Sequence, residues 1–113
     1  MSRAKLPAHL SPKSVQLSGS RQTAIFKALA DPHRFKLLQQ IAKAGCPLSC
    51  SQALSSLSIC AATLSHHVKE LETAGLIEIR REGKFAYLTL RPGVLEALAA
   101  SLSALESAAG PRA

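Results

Sequence analysis

The stretch that decides the fold is CAATLSHHVKELETAG, residues 60–75. As a helix it places Leu64, His67, Val68 and Leu71 on one side, at the spacing of a core-facing stripe. The opposite side combines small, hydrogen-bonding and cationic side chains: Ala62, Ser65, His66, Lys69 and Thr73. Such side chains let a helix enter a groove, contact base edges and meet phosphate. The pattern predicts a DNA-recognition helix that ends at Gly75.

The segments before this helix predict three further helices. The first runs from Ser20 to Ala30, with Ile25, Phe26 and Leu29 facing inward. Asp31-Pro32 then supplies an N-cap and a first-turn proline for a second helix, which Gly45 ends. After a loop, CPLSC, a short helix covers residues 51–57. Because only residues 58–60 separate it from the recognition helix, the two form a helix-turn-helix.

After Gly75 the apolar period changes from 3.6 to 2. Alternating residues from Ile77 to Thr89, interrupted near Glu82-Gly83, predict a two-stranded hairpin packed against the helices as a wing. Three cations lie at its tip and are candidate DNA contacts: Arg80, Arg81 and Lys84. The fold class is therefore mainly α with a small β-hairpin wing, in the order α-α-α-α-β-β-α.

The last helix opens at Arg91-Pro92 and runs to about Ala108. Its apolar stripe would stay exposed in a chain this short unless it met a second copy, so we expect a homodimer. The predicted dimer interface draws on this helix and on the first one: Ile25, Leu95, Leu98, Ala99, Leu102 and Leu105. The alternative is that the last helix folds back over its own core.

Charge favours an anionic partner, because 14 Lys and Arg stand against 7 Asp and Glu, a net charge of +7. Residues 1–19 predict a flexible basic N-terminal arm, residues 20–108 the DNA-binding and dimerisation domain, and residues 109–113 a tail. No apolar stretch is long enough to span a bilayer and no secretory signal is evident. We expect a cytoplasmic protein without a membrane partner.

Three segments together resemble the ArsR/SmtB family of small winged-helix repressors: ALADPHRFKLL (28–38), TLSHHVKELETAGLI (63–77) and RREGKFAYLTL (80–90). The resemblance implies a homodimer that binds double-stranded DNA at an inverted-repeat operator. It also implies that the dimer releases this DNA when a metal, metalloid or oxidant acts on its cysteines or other ligand residues. The family's DNA-reading positions fall on Thr63, Ser65, His66, Lys69 and the 80–84 wing. Ala62 joins them from the helix pattern.

The family's metal positions are only partly matched. Its dimer-interface site needs histidine on the last helix, which here offers Glu96 and Glu106. Its Cys-x-Cys metalloid motif is replaced by Cys46 and Cys50, four residues apart. With Cys60, these thiols predict a candidate site for As(III) or Zn.

Cys60 also stands at the N-cap of the recognition helix, where the helix dipole favours a reactive thiolate. A redox switch and an inert set of small apolar residues stay open as alternatives to the metal site. No other ligand residue lies at a sequence spacing that would pair it with His33, so we expect His33 to face solvent.

Two other function classes differ in how well the sequence supports them. An enzyme finds no support, because the sequence has no Gly-rich phosphate loop, nucleophile elbow or paired carboxylates in a pocket context. A winged-helix module that only contacts proteins stays possible, since fold does not determine function.

Overall fold

The computed structural model describes residues 15–110, which form five helices and a three-stranded antiparallel sheet. The helices are α1 (Gly19–Leu29), α2 (Pro32–Ala44), α3 (Cys50–Ser56), α4 (Ala61–Thr73) and α5 (Val94–Ala109). The strands are β1 (Leu48–Ser49), β2 (Ile77–Glu82) and β3 (Phe85–Leu90). The chain therefore has the predicted winged helix-turn-helix architecture, with one additional strand.

The junction between α1 and α2 has the predicted capping chemistry. Asp31 Oδ1 accepts hydrogen bonds from the backbone N–H groups of His33 at 2.8 Å and Arg34 at 3.2 Å. Pro32 occupies the first turn, where its missing N–H costs nothing. Gly45 ends α2 in the left-handed conformation, with φ of 67°. Local sequence thus determines both ends of α2.

The helix-turn-helix pairs a strongly capped α3 with α4. Ser49 and Gln52 form a reciprocal capping box at the start of α3. Four residues, 57–60, then connect the two helices, and Leu57 is buried among them. The buried residues of α4 are the four that the helical period predicts.

The sheet has the strand order β1-β3-β2, so the wing contains a third strand in a segment that was expected to be a loop. Leu48 pairs with Leu88 and Ser49 with Tyr87. A strand of two residues is too short to show a period of two, which is why the CPLSC segment gave no strand signal.

The two long strands turn tightly at Gly83 and Lys84. Gly83 has φ of 61° and Lys84 has no positive φ, the combination of a type II′ turn with glycine at its first central position. The register pairs Ile77 with Leu90, Ile79 with Leu88 and Arg81 with Ala86. These pairs share the face of the sheet that contains the fully buried Leu88.

The core is formed by side chains from all five helices and the wing, because Ala53 of α3 and Val94 and Leu98 of α5 are buried with residues of α1, α2 and α4. Its largest fully buried members are Ile25, Leu37, Leu71, Leu76, Ile77 and Leu88. Three apolar residues lie elsewhere than the sequence predicted. Phe26 was placed inward but is 45% exposed, because the buried line of α1 runs through Ile25 and Ala28. Ile25 and Leu98 were assigned to the dimer interface but pack inside the protomer's own core.

The N-terminal end of the described chain belongs to the domain. Val15 and Leu17 pack against the core, and the Ser18 side chain caps α1 by accepting from the backbone N–H of Arg21. Residues 15–19 were assigned to the basic arm, whose cations Arg3, Lys5 and Lys13 lie outside the described residues. The last three residues of the predicted tail lie outside them too.

Gly75 is required by the backbone between α4 and the wing. Its φ is 82°, and the Arg21 guanidinium lies where a Cβ would project. Replacing Gly75 by alanine should cost about 1–2 kcal/mol of unfolding free energy, because an L-residue is strained in the left-handed region. Urea denaturation of the Gly75→Ala protein measures this loss.

The matched control is Gly19→Ala, since Gly19 opens α1 with a negative φ and has open space where the methyl group of alanine would lie. We expect that variant to keep the stability of the parent protein. Equal stability losses in the two variants would contradict a special role for the backbone at Gly75.

Candidate nucleic-acid interface

The outer face of α4 presents the predicted DNA-contact side chains to solvent. Ala62, Ser65, His66 and Lys69 are exposed, and Thr63 is half-buried. Ala61 and Ala62 have small side chains at the start of this face, so other groups can approach the helix backbone closely there. The face therefore has the shape and chemistry of a helix that enters a groove.

The inner face of α4 holds this orientation. Leu71 is fully buried, and Leu64, Val68 and His67 are 4–6% exposed. Rotating α4 enough to hide Ser65 or His66 would expose this apolar stripe, at about 25 cal/mol for each Å² of apolar surface. The orientation of the outer face therefore follows from core packing.

The wing separates the three cations that were expected together at its tip. Arg80 and Arg81 lie on opposite faces of the sheet, because successive residues of a strand alternate. Arg80 pairs with Glu82 at 3.1 Å and lies over the Tyr87 ring at 5.7 Å. Lys84 is exposed in the turn. Only Arg81 shares the face that is turned toward the helices.

Arg81 and α4 border a common groove. This cavity of ≈ 330 Å³ lies between α3, α4 and the wing, and its lining includes Ser65, Lys69, Glu72 and Arg81. Two cations and one carboxylate give it a positive balance. The tertiary fold thus brings the predicted phosphate-contacting groups of the helix and the wing to one surface.

Cys60 is exposed at the N-cap of α4, as predicted, and it contacts Thr63. The distance from Cys60 Sγ to Thr63 Oγ1 is 3.3 Å. The Thr63 hydroxyl hydrogen bond, helped by backbone N–H groups at the start of α4, lowers the pKa of the Cys60 thiol. The side chain makes no capping hydrogen bond of its own. Cys60 therefore has the environment of a reactive thiol at the N-terminus of the recognition helix.

The three cysteines do not form one metal site within the protomer. Cys50 borders the groove between α4 and the wing, whereas Cys46 borders a different cavity with Ile41 and Thr89. Burial raises the pKa of Cys50, with Arg81 opposing it, so this thiol stays protonated. Within residues 15–110, no three cysteine sulfurs lie close enough together to share an ion. The predicted As(III) or Zn site of Cys46, Cys50 and Cys60 is not assembled by this fold.

Sequence reasoning missed a polar cluster behind the recognition helix. His33 is exposed as expected, but its ring stacks on that of His67 with centroids 6.0 Å apart. Asp31 Oδ1 lies 3.9 Å from Nδ1 of His33 and 4.0 Å from Nε2 of His67. Burial lowers the pKa of His67, while Asp31 opposes that shift. The sequence did contain one signal for this cluster: His67 lies on the core-facing side of the recognition helix, and a buried histidine needs polar partners.

Comparison with known proteins agrees with this geometry. A family model described as a helix-turn-helix domain matches residues 29–80. The chain is 35% identical over 82 residues to the uncharacterized HTH-type transcriptional regulator YceK of Bacillus subtilis, a match that covers 66% of this chain and 82% of the relative. It is 33% identical over 70 residues to the arsenic resistance transcriptional regulator ArsR1 of Pseudomonas putida, covering 62% of this chain and 54% of that one.

A solved structure shares the fold. The crystal structure of an ArsR family transcriptional regulator superposes with a TM-score of 0.76, covering 88% of this chain and 100% of the other at 21% identity. The chain belongs to the ArsR family of helix-turn-helix transcriptional regulators.

Membership in the ArsR family makes the protein a DNA-binding transcriptional regulator and not an enzyme. In this ArsR-family member the family-derived DNA positions on α4 lie on its accessible side. Among residues 15–110, no helix is long and apolar enough to cross a membrane.

The Cys60–Thr63 contact predicts a difference in thiol reactivity. Because thiolate is the reactive form, Cys60 with its lowered pKa should be alkylated at lower pH than Cys50, whose pKa is raised. Thr63→Val removes the hydroxyl, so the pH midpoint of Cys60 alkylation should move upward. Mass spectrometry of iodoacetamide-treated protein across a pH series measures both midpoints.

The control is Thr73→Val, a similar change at the far end of α4. It should leave the Cys60 midpoint where it is in the parent protein. If Thr63→Val also left that midpoint in place, the hydroxyl would not be the group that activates the thiol.

Proposed function

We propose that this ArsR-family protein is a homodimeric repressor that binds an inverted-repeat DNA operator in the cytoplasm through α4 and the wing. The observation that carries the proposal is that one face of α4 is apolar and buried, whereas the opposite face is polar and exposed. Leu64, Val68 and Leu71 are buried, while Ser65, His66 and Lys69 are exposed. Ser65 and Lys69 share a groove with Arg81. An occupied operator would then exclude other proteins from the same DNA.

Different side chains have different roles in this proposal. Lys69 and Arg81 border one groove and carry charges suited to phosphate, so they position the protein without reading sequence. Ser65 and His66 carry hydrogen-bonding groups on the exposed face, and they contact base edges in the major groove. Ala62 and Thr63 allow close approach at the start of the helix, and Lys84 adds charge from the wing. Arg80 can contribute a phosphate contact only if it exchanges its ion pair with Glu82 for one with DNA.

The proposed dimer interface combines α5 and α1. Leu102 and Leu105 are 46% and 67% exposed, large values for leucine on a folded domain. Gln22 Nε2 donates a hydrogen bond to Ser101 Oγ at 2.7 Å, which joins α1 to α5. One helical turn beyond Gln22 lies the exposed Phe26, which takes the place first expected for Ile25. The half-buried Leu95 and the exposed Ala99 extend the surface along α5.

Two-fold symmetry determines the form of the operator. The recognition helices of a dimer enter successive major grooves about 34 Å apart, which corresponds to one turn of B-DNA. Half-sites in inverted orientation, centred about one helical turn apart, meet this requirement.

Duplex binding tests the proposal. Lys69→Ala and Arg81→Ala should weaken binding to all duplexes alike and reduce the slope of log affinity against log salt by about one each. Ser65→Ala and His66→Ala should instead reduce the preference for an operator that the parent protein has selected from random duplexes, by about 1–3 kcal/mol for each side chain that no longer reads a base edge. Fluorescence anisotropy with the selected operator and a scrambled duplex, over a salt series, measures both effects.

Lys43→Ala is the matched control, because Lys43 is an exposed cation in the last turn of α2, outside both α4 and the wing. Its duplex affinity should equal that of the parent protein. An operator cut to a single half-site should bind far more weakly than the inverted repeat. Absence of any salt-dependent duplex binding would support a protein-contact module in place of a DNA reader.

For the effector, we propose chemistry at the Cys60 thiol, either oxidation or binding of a thiol-seeking ion such as arsenite. Support comes from the lowered pKa of this exposed thiol and from the name of the relative ArsR1, which refers to arsenic resistance. Cys60 directly precedes α4, so a bulky or charged group on its sulfur would disturb the part of the helix that enters the groove.

Operator binding with arsenite or peroxide added separately tests this effector. In the wild-type protein, arsenite or peroxide should lower operator affinity, by about tenfold or more for a working switch. Cys60→Ser should remove the response, whereas Cys46→Ser, a change of another exposed thiol, should retain it. Unchanged wild-type affinity with both agents would eliminate cysteine sensing and leave the DNA-binding proposal intact.

A further inference from the structure

We propose that Asp31, His33 and His67 form a binding site for a divalent transition-metal ion such as Zn²⁺. The site would join the N-terminus of α2 to the inner face of the recognition helix. It is separate from all three cysteines and contains none of the residues assigned above to DNA contact.

The ligand atoms are already close to coordination geometry. One atom from each residue lies within 4.8 Å of the others. Asp31 Oδ1 is 3.9 Å from His33 Nδ1 and 4.0 Å from His67 Nε2. In a tetrahedral zinc site, bonds of about 2.0–2.2 Å place neighbouring ligand atoms about 3.4 Å apart. An inward movement of roughly half an ångström therefore closes the triangle.

Two of the ligands are held in place and the third can adjust. His67 is 5% exposed on a packed helix, and Asp31 is held by its hydrogen bonds to the first amides of α2. The His33 side chain is 52% exposed, so its ring can turn toward an ion at little cost. A rigid pair with one mobile partner allows the ion to enter and leave from solvent.

The donor set indicates which ions fit. Two imidazoles and one carboxylate suit Zn²⁺, Co²⁺ or Ni²⁺, whereas Ca²⁺ and Mg²⁺ prefer oxygen ligands alone. Three protein ligands leave the fourth position for water, as in zinc sites that exchange ligands. One carboxylate against a dication leaves a net charge of +1 on the ion and its ligands.

Arg34 limits the affinity. Its Nη1 lies 3.4 Å from Nδ1 of His67, so this cation faces the site. A neutral imidazole that binds a metal through Nε2 carries its proton on Nδ1, so Nδ1 can then no longer accept a hydrogen bond from Arg34. The contact is long, and the guanidinium is held more firmly by the hydrogen bond that its Nε donates to the Ala28 carbonyl at 2.7 Å. We therefore expect micromolar zinc affinity, much weaker than that of a closed four-ligand site.

A metal here would act on the recognition helix from behind. His67 is the immediate neighbour of His66, the residue assigned to base contact, so an ion that draws His67 toward Asp31 shifts the DNA-reading face. Any such coupling is reciprocal: operator and metal change each other's affinity by the same factor. This coupling rests on the proposed function, whereas metal binding itself does not.

The test uses the full chain with all three cysteines changed to serine, so that no thiolate competes for the ion. Zinc affinity is measured without DNA, by competition with a chromogenic zinc chelator. In this background His33→Ala should weaken zinc binding roughly 100-fold. Asp31→Asn should weaken it too while preserving the helix cap, because asparagine caps as well as aspartate.

His66→Ala is the matched control, since it removes a neighbouring exposed histidine that is not a member of the cluster. It should leave zinc affinity within about twofold of the cysteine-free parent, well inside the range that loss of a supporting group produces. Co²⁺ bound to the cysteine-free protein should show the visible absorption of nitrogen and oxygen ligation.

The proposal is overturned if the cysteine-free protein binds no zinc at micromolar concentration, or if His33→Ala and His66→Ala reduce the affinity equally. Neither result affects the DNA-binding proposal, which is tested by duplex binding in the presence of a metal chelator. Conversely, a protein that binds zinc through His33 but no duplex would retain the metal site and lose the repressor function.

Discussion

The structure depends on the burial of one side of α4. Leu64, Val68 and Leu71 pack against the core that α1, α2 and the wing complete, so the helix can present only one face to solvent. That face carries the polar and cationic groups suited to DNA. In a domain this small, a few buried side chains account for much of the net stability, which makes the orientation of the recognition surface inseparable from folding.

The wing contributes to the same surface through the alternation of its strands. The register places Arg81 with Ile79 and Leu88 on the helix-facing side, and it leaves Arg80 on the other side with Glu82 and Tyr87. Two adjacent arginines in one sequence run therefore have different surroundings. The short strand β1 extends the sheet beside β3 and links the helix-turn-helix to the wing.

Behind α4, polar groups meet at the start of α2. Asp31 caps that helix and faces His67, while Arg34 reaches from the same turn to the carbonyl of Ala28 at the end of α1. The only buried polar side chain among the described residues, His67, thus lies where three helices converge. Asp31 and Arg34 of this junction therefore connect the start of α2 to the recognition helix through His67.

The sequence by itself determined the helices, the capping of α2, the turn at Gly83 and the outward side of α4, because these follow from local periodicity and from backbone preferences of single residues. Only the tertiary structure decided which apolar residues of α1 and α5 are covered, since periodicity cannot tell a stripe packed on its own core from one left exposed. Phe26, which was expected to face inward, is exposed for this reason, and Ile25, which was assigned to the dimer interface, is fully buried. Likewise, the separation of Cys46 from Cys50 and the meeting of Asp31 with His67 depend on how distant segments pack, and no spacing along the chain encodes those distances.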